Sequence, residues 1–393
     1  MANDKLSAAK TAKNDEFYTQ YHDIEREVEA YLEYNPDVFR DKTVLLPCDD
    51  PEWSNFTRYF AQNFERLGLK KLISTSYAYE SKRFKGPIQL TLFETDAPQY
   101  DPSKTQTHGK IFVLTHDKTG DGRINIDDLE WDYLQGDGDF RSKEVTRLRD
   151  EADIIVTNPP FSLFREFLAW IIEANKLFLM IGNQNAITNK DVFPLIQENK
   201  MWLGKGFKGG AAHFISNYQD YATAGDHREG MIRVSGVVWF TNLEHGRRHQ
   251  PLLLMSMADN LRYSKHKEIK GKGAYEHYDN YDAIDVPFSD AIPNDYEGVM
   301  GVPISFLDKY CPEQFEIIGL TQFGCHDSFP DERRYNDYKE YTTVDDKATG
   351  AIGAKTNENA VILGKGNKKT YYMNTEGRTV HSEYKRIFIR KKQ

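Results

Sequence analysis

Apolar runs and amphipathic stretches alternate regularly over residues 1–250. Five of the runs predict buried strands: Thr43–Cys48, Lys71–Tyr77, Asp153–Thr157, Lys176–Gly182 and Val234–Thr241. Two stretches predict helices: Ser54–Leu67, and Ser162–Ala174, which opens with a serine in the N-cap position. Strands that alternate with helices indicate an α/β domain with a mainly parallel sheet covered on both faces, and such sheets bind ligands at the carboxyl ends of their strands.

The alternation fades after residue 250, where Gly, Asp, Asn, Pro and Tyr become frequent. The segment Lys272–Asp295 is turn-rich and acidic, and Ile317–Leu320 and Tyr384–Ile389 read as isolated strands. This pattern predicts a less regular module with long loops, which often carry recognition. We therefore expect two domains, a catalytic one at residues 1–250 and a recognition one at residues 251–393.

The composition, with 39% hydrophobic and 28% charged residues, predicts a packed core. The net charge of −9 by itself disfavours a nucleic-acid partner, but the charge is not evenly distributed along the chain. Residues 1–200 carry 25 basic and 34 acidic side chains, and residues 201–393 carry 26 of each, so the acidic excess lies in the first half. The second half holds two basic runs, Arg262–Lys272 and Lys365–Lys392. Either run alone is ordinarily a solvated face, whereas the two together are typical of a module that grips DNA.

Several other classes of protein are disfavoured by the sequence. Three cysteines without paired spacing predict neither a disulfide framework nor a zinc site, and the histidines form no HExxH or similar ligand spacing. No P-loop and no Gly-x-Ser-x-Gly elbow occurs. The first residues lack the apolar run of a secretory signal, and no apolar stretch approaches the roughly 18 residues of a membrane span. We therefore expect a cytoplasmic protein that uses no catalytic metal.

The sharpest motif is Asn158-Pro159-Pro160-Phe161, directly after the predicted strand Asp153–Thr157. Its plainest interpretation is a strand that ends in a rigid turn, because proline restricts φ. A catalytic interpretation is more specific. The exocyclic amine of a purine is a poor nucleophile, because its lone pair is delocalised into the ring. Two acceptors, the Asn158 side-chain carbonyl and the Pro159 main-chain carbonyl, would draw the amine towards a nucleophilic geometry, and Phe161 would stack on the base.

The motif in this setting resembles motif IV of the amino-methyltransferases, and the wider sequence resembles the EcoRI-type adenine-specific DNA methyltransferase family. The segments that carry the resemblance are KNDEFYTQYHDIEREV, CDDPEWSNF, GDGDFRS, IGNQNAIT, VVWFTNL and VPISFLDKYCPEQFEIIG. The resemblance implies a Rossmann-like S-adenosylmethionine-dependent methyltransferase fold with a C-terminal target-recognition region. It also implies transfer of a methyl group from S-adenosylmethionine to the exocyclic amine of an adenine flipped out of double-stranded DNA. A cognate restriction endonuclease that acts in the same system without direct binding would accompany it.

The resemblance also assigns candidate residues. Asn158, Pro159, Pro160 and Phe161 are the catalytic candidates. The cofactor-binding candidates are Phe17, Tyr18 and Thr19, then Asp49, Asp50 and Ser54, and then Asp139 and Phe140, whose carboxylate and ring would hold the cofactor's adenine. The loop PCDDPEWSNF departs from the usual pattern because it lacks glycine, so side chains are expected to replace main-chain contacts there. Candidates for DNA phosphate and base contacts are Arg247, Arg248, Lys265, Lys267, Arg333 and Arg334.

A second motif, Asp117–Asp128 (DKTGDGRINIDD), fits much of a calcium-binding loop. Position twelve is Asp rather than Glu, and the preceding KIFVLT predicts a strand instead of an entering helix. A turn-rich β-hairpin is the simpler interpretation, with a structural calcium ion as the alternative.

Two functional alternatives also stay open: methylation of RNA or of a protein glutamine, and a non-catalytic DNA-binding protein that retains the fold.

Overall fold

The structure is a computed structural model that describes residues 19–49, 54–78, 98–118, 120, 124, 128, 130–207, 211–215, 231–321, 338–352, 359–366 and 369–392. The chain divides into two compact units. The first comprises residues up to Ala186 together with Met201–Gly246, and the second comprises Ile187–Lys200 together with Arg247–Gln393. The catalytic and recognition roles expected for residues 1–250 and 251–393 stay predictions.

The first unit is built on an eight-stranded sheet. Its strands are β1 (Thr43–Leu46), β2 (Lys71–Thr75), β3 (Lys110–Leu114), β4 (Glu130–Tyr133), β5 (Ile154–Thr157), β6 (Leu177–Asn183), β7 (Trp202–Leu203) and β10 (Val237–Thr241). Their order across the sheet is β4-β3-β2-β1-β5-β6-β10-β7. The four central strands β2, β1, β5 and β6 are parallel, and the flanking strands pair antiparallel. β8 (Ala211–Ile215) and β9 (Met231–Ser235) form a separate antiparallel pair.

The central strands could be predicted from the sequence because they are buried. Every residue of β1 and β5 is buried, as is most of β6, because helices cover both faces of a parallel sheet. The helices of this unit are α1 (Tyr21–Tyr34), α2 (Asn55–Gln62), α3 (Phe64–Leu67), α4 (Pro102–Thr107), α5 (Lys143–Glu151) and α6 (Phe164–Glu173). The α/β fold class, the parallel core and four of the five predicted apolar strands are thereby confirmed, with small shifts at their ends.

Two local predictions for the first unit were wrong. Ser162 does not cap a helix: a short 3-10 turn over Phe161–Leu163 precedes α6, whose N-cap is Leu163 without a side-chain bond. Val234–Thr241 is not one strand, because Gly236 adopts a left-handed φ of 71° and separates β9 from β10. Glycine tolerates that conformation, which the apolar run around it conceals in the sequence.

Glu27 on α1 holds the segment after β7 in place. Its fully buried carboxylate accepts hydrogen bonds from the Tyr31 hydroxyl (2.8 Å) and from the main-chain N–H groups of Lys205 (2.8 Å) and Gly206 (2.9 Å). Burial raises the pKa of Glu27 above its ordinary value of 4.5, in spite of these three bonds. The protonated carboxyl is therefore favoured more in the folded than in the unfolded chain.

This raised pKa predicts a pH dependence of folding. The stability that Glu27 contributes is fully present below its ordinary pKa and is lost as the pH rises from there through the raised folded pKa. The variant Glu27→Gln cannot titrate, so we expect this part of the pH dependence to vanish. Urea unfolding of both proteins at several pH values from about 4 to about 8 measures it. Parallel curves for the two proteins would contradict the assignment.

The second unit contains two antiparallel-rich sheets. The strands are β11 (Ile284–Asp285), β12 (Met300–Pro303), β13 (Phe315–Leu320), β14 (Lys339–Thr342), β15 (Ala348–Ile352), β16 (Val361–Leu363), β17 (Thr370–Met373), β18 (Thr379–Ser382) and β19 (Arg386–Lys391). One sheet has the order β11-β12-β19-β13 and the other the order β15-β14-β17-β18-β16. Its helices are α7 (Phe193–Gln197) and α8 (Met257–Tyr263). The predicted long loops are present at residues 264–283, which the structure describes without a helix or a named strand. The two strands read as isolated, β13 and β19, pair with each other, so that part of the prediction was wrong.

The candidate DNA contacts differ in exposure. Arg248 is 4% exposed and donates to Asn199, so it does not reach the surface, and Arg247 pairs with Asp308. Lys265 is exposed and lies 2.8 Å from Asp290, and Lys267 is also exposed. Arg333 and Arg334 lie outside the described residues.

The segment with the calcium-loop pattern joins β3 to β4, which pair antiparallel, so the hairpin interpretation is confirmed. Asp128 is buried and accepts from the Lys118 main-chain N–H at 2.9 Å, and Asp117 accepts from Gly120 at 2.7 Å. Most of the remaining ligand positions lie outside the described residues. Within the part of the chain that is described, no group of three His, Cys, Asp or Glu side chains could hold a metal ion, and no helix is long and apolar enough to cross a membrane.

Candidate active site

The parallel strands place two of the predicted site segments, and one segment that the sequence analysis did not single out, at one edge of the sheet. Asp49 follows β1, the segment Ser76–Ala78 follows β2, and Asn158 follows β5. Because β2, β1 and β5 are parallel neighbours, their carboxyl ends meet at the same edge, where α/β sheets bind their ligands. The candidate active site is therefore built entirely on the first unit.

Asp49 is the centre of a buried hydrogen-bond network at this edge. The Ser54 hydroxyl donates to Asp49 Oδ1 at 2.9 Å and the Thr157 hydroxyl lies 3.1 Å from Oδ2, while Ser74 donates to the Asp49 main-chain carbonyl at 2.8 Å. Ser54 also accepts from the Phe56 main-chain N–H, which makes it the N-cap of α2. The expectation that side chains of this loop replace the main-chain contacts of a glycine-rich loop stays a prediction. Thr157 was missed in the sequence, because its partner lies 108 residues away.

The Asn-Pro-Pro-Phe turn leaves the end of β5 in a rigid conformation. Pro159 is buried, and Pro160 accepts from the Leu163 main-chain N–H at 2.8 Å, which closes the 3-10 turn that leads into α6. Among the residues that the structure describes, nothing donates a hydrogen bond to the Pro159 carbonyl. Phe161 is half-buried and packs against the main hydrophobic core. The turn can thus present a main-chain acceptor with little reorganisation.

Thr19 orients the Asn158 side chain. The Asn158 Nδ2 atom donates to Thr19 Oγ1 at 3.3 Å, although the two residues are 139 positions apart. Asn55, which the sequence analysis missed, donates from Nδ2 to the Thr19 main-chain carbonyl at 2.8 Å and so holds this segment against α2. Since Thr19 takes an N–H of the Asn158 amide, the orientation of its carbonyl oxygen, Oδ1, is also determined. Phe17, Tyr18 and Asp50 lie outside the described residues.

The acidic loop that follows β4 docks on the end of β2. The Ala78 main-chain N–H donates to the Asp137 carbonyl at 2.7 Å, and a Cβ atom built on Gly138 would lie 2.1 Å from the Ser76 carbonyl oxygen. Desolvation, with the nearby Asp137 carboxylate, raises the pKa of Tyr77. The close main-chain approach at Gly138 brings two carboxylates, Asp137 and Asp139, beside the carboxyl end of β2.

Asp139 and Phe140 occupy different environments within that loop. Hydrogen bonds from Arg141 hold the pKa of Asp139 below its usual range, and Arg141 also reaches Glu166 on α6 at 2.9 Å. The Phe140 ring is 3% exposed, and its centroid lies 4.4 Å from that of Phe167. Most of this ring therefore packs against α6, and contact of either side chain with the cofactor's adenine stays a prediction.

The approach at Gly138 predicts a selective substitution effect. Gly138 has a φ of 84°, and the variant Gly138→Ala would force its Cβ into the Ser76 carbonyl. We expect a loss of about 1–3 kcal/mol of unfolding free energy together with weaker cofactor binding, measured by thermal denaturation and calorimetry. Gly136→Ala is the matched control, because no atom lies within 4 Å of its added Cβ. Equal effects at the two positions would contradict this account of the loop.

The sheet order, the acidic side chains at its carboxyl edge and the Asn-Pro-Pro-Phe turn together define the fold of the S-adenosylmethionine-dependent methyltransferases. The model of one family, described as "Adenine-specific methyltransferase EcoRI", matches residues 5–392. The chain belongs to this family, as the resemblance in the sequence predicted.

Individual relatives agree with the family match. The chain is 43% identical over 321 residues to the Type II methyltransferase M.EcoRI of Escherichia coli, an alignment that covers 80% of this chain and 89% of the relative. It is 34% identical over 321 residues to M.MpnI of Mycoplasma pneumoniae, covering 80% and 84%, and 34% identical over 319 residues to M.MgeORF184P of Mycoplasma genitalium, covering 80% and 85%. No solved structure was found to match the chain.

Proposed function

We propose that this protein transfers a methyl group from S-adenosylmethionine to the exocyclic amino nitrogen of an adenine that has been flipped out of duplex DNA. The observation that carries the proposal is the position of Asn158: it follows β5 at the carboxyl edge of the sheet, and Thr19 holds its amide in one orientation. The family and the Type II relatives supply the substrate class, an adenine in DNA.

The proposed chemical role of the Asn-Pro-Pro-Phe turn is to activate the adenine amine, which is a weak nucleophile. In this proposal Asn158 Oδ1 and the Pro159 carbonyl accept hydrogen bonds from the two hydrogens of the adenine amine. The prolines and Thr19 hold both acceptors in position before the base binds. The free-energy cost of reorganising them during the reaction is therefore small. The amine lone pair is then directed out of the ring plane, towards the methyl group.

The described residues fit the proposed cofactor by their chemistry. Carboxylates accept hydrogen bonds from ribose hydroxyls and from an adenine amino group, and Asp49, Asp137 and Asp139 all lie at the carboxyl edge of the sheet. Ser54 and Thr157 would hold the Asp49 carboxylate in position for such a contact. When bound, S-adenosylmethionine supplies a methyl group on a positively charged sulfur, which needs no further activation as a leaving group.

Flipping is part of the proposal because a stacked adenine cannot reach a turn at the edge of the sheet. Extrusion costs a few kcal/mol, which contacts to the extruded base must offset. Phe161 begins the short turn before α6 and is half-buried, so its partly exposed ring offers a surface on which the base can stack. Asn158 and Phe161 would then contact the edge and the face of the same base.

Radiolabelled methyl transfer tests the proposal directly. The purified protein is incubated with labelled S-adenosylmethionine and, in separate reactions, with unmethylated duplex DNA, RNA of the same sequences and a protein extract. We expect label in duplex DNA alone, and methylation-aware sequencing should place it on adenine within one short sequence context. Label in RNA or in protein glutamine would contradict the proposal. DNA so modified should resist one cognate restriction endonuclease.

A further inference from the structure

The strand β6 extends beyond the end of its parallel neighbour β5. The last residue pair between the two strands is Thr157 with Met180, after which β5 ends and the Asn-Pro-Pro-Phe turn begins. β6 continues to Asn183, which pairs with Val237 of β10. The last residues of β6 therefore border the space beyond the end of β5, where the adenine is proposed to bind.

Asn158 and Asn183 belong to the same face of the sheet. Side chains alternate between the two faces along a strand. On β5 and β6, the face covered by α1 and α2 carries alternate apolar residues of the main hydrophobic core, namely Ile154, Val156, Leu179 and Ile181. Asn158 and Asn183 are the next positions of this alternation. The hydrogen bond from Asn158 to Thr19 agrees with the placement, because Thr19 directly precedes α1 and is held by α2.

The register of the two strands also gives the approximate separation of the two asparagines. Asn158 is level with Ile181, so Asn183 lies two residues further along the neighbouring strand. With strands about 4.8 Å apart and a rise of about 3.3 Å per residue, the two Cα atoms are roughly 8 Å apart. The two side chains can therefore bond neighbouring atoms on one edge of the same base.

The amide of Asn183 is held in one orientation. Its Oδ1 atom accepts from the Asn185 main-chain N–H at 2.9 Å, and the Gln184 main-chain N–H donates to the Gly236 carbonyl at 2.6 Å. Because an N–H group can only face an acceptor, the bond from Asn185 distinguishes Oδ1 from Nδ2. Asn183 is half-buried, and among the described residues no group accepts a hydrogen bond from its Nδ2 atom. This atom is thus a donor available to a ligand.

We propose that Asn183 is a specificity-determining residue that donates a hydrogen bond from Nδ2 to the ring nitrogen N1 of the extruded adenine. The inference rests on the proposed function, in which Asn158 accepts from the amine beside N1. In the duplex, thymine accepts from that amine and donates to N1, and extrusion breaks both bonds. Asn158 Oδ1 and Asn183 Nδ2 replace them on the Watson–Crick edge of the base. Guanine is rejected, because it carries an N–H at N1, which would face the Asn183 donor.

The test combines Asn183→Asp with a duplex in which the target base is 1-deazaadenine, whose C–H replaces N1. The variant loses the donor but still accepts from the Asn185 N–H, so the local turn is retained. In single-turnover reactions we expect the variant to be slower than wild type by about tenfold or more on adenine, because the contact to N1 is lost. On 1-deazaadenine the two proteins should differ by less than about twofold, since neither can make the contact.

Three measurements serve as controls. Asn175→Asp makes the same change at an exposed position that precedes β6, and Asn175 has a φ of 50°, which aspartate also tolerates. It should retain the wild-type rate. The Asn183 variant should also keep the wild-type melting temperature and affinity for S-adenosylmethionine. On 7-deazaadenine, which retains N1, the variant should again be slower by about tenfold.

Two results would overturn the contact to N1. One is a wild-type rate of Asn183→Asp on adenine. The other is an equal slowing of this variant on adenine and on 1-deazaadenine, which would place its effect elsewhere than at N1. If wild type methylates no adenine in duplex DNA, the proposed function itself fails, which is a distinct result.

Discussion

Replacing Asn158 with alanine is expected to lower the rate of methyl transfer by about 10²- to 10³-fold, equivalent to roughly 2.7–4 kcal/mol of transition-state stabilisation. The variant removes the side-chain acceptor that would bond one hydrogen of the adenine amine. The Pro159 carbonyl and the proline-stiffened turn remain, so some activity should persist. Single-turnover kinetics with duplex DNA and saturating S-adenosylmethionine measure the effect on the chemical step.

Two controls separate catalysis from folding and from cofactor binding. Calorimetric titration should give nearly the same affinity of Asn158→Ala for S-adenosylmethionine as wild type. Asn35→Ala is the matched surface variant, because the Asn35 side chain is exposed and accepts a hydrogen bond from the Asp37 main-chain N–H at 3.1 Å. It should retain the wild-type rate. Full turnover by Asn158→Ala would remove the role proposed for this residue.

The sequence predicted the sheet of the first unit well, because burial on both faces leaves a continuous apolar run. Ile154–Thr157 and Thr43–Leu46 are buried at every position, and both runs stand out from polar surroundings. β14 shows the opposite case: Lys339 is exposed and the other three residues, Glu340 to Thr342, are half-buried, so no apolar run marks the strand. Its pairing with β17 depends on contacts between distant residues, which a local pattern does not contain.

The candidate site divides in the same way. Asn158 could be predicted because it begins a short, chemically specific motif and because that motif directly follows a strand that the apolar pattern predicts. Its orientation by Thr19, and the anchoring of Thr19 by Asn55, join residues 139 and 36 positions apart, and polar pairs of this kind leave no periodic signal. The sequence therefore predicted the group that we propose contacts the substrate, but not the groups that hold that group in place.

The second large effect is expected from Asp285→Ala, in the second unit. Arg386, at the start of β19, donates from Nε to Asp285 Oδ1 at 2.9 Å across β12, and both side chains are less than a tenth exposed. The Tyr278 hydroxyl donates to the same oxygen. Removing the carboxylate leaves a buried guanidinium without its main partner, because Glu383 is farther away, at 3.2 Å. We expect the unit to lose about 3–5 kcal/mol of unfolding free energy.

Hydrogen exchange of the amides in β12 and β19 measures this loss where it occurs, which matters because a chain of two units need not unfold in one step.

A second ion pair, between β13 and β19, tests whether burial decides the size of the effect. Arg390 and Glu316 lie 3.1 Å apart with side chains 47% and 43% exposed, so Glu316→Ala should cost less than about 1 kcal/mol. Replacing both buried partners, Asp285→Leu with Arg386→Met, should restore most of the stability lost by Asp285→Ala, because no charge is then left unpaired in the core. If the double variant were no more stable than Asp285→Ala, loss of packing rather than an uncompensated charge would be the cause.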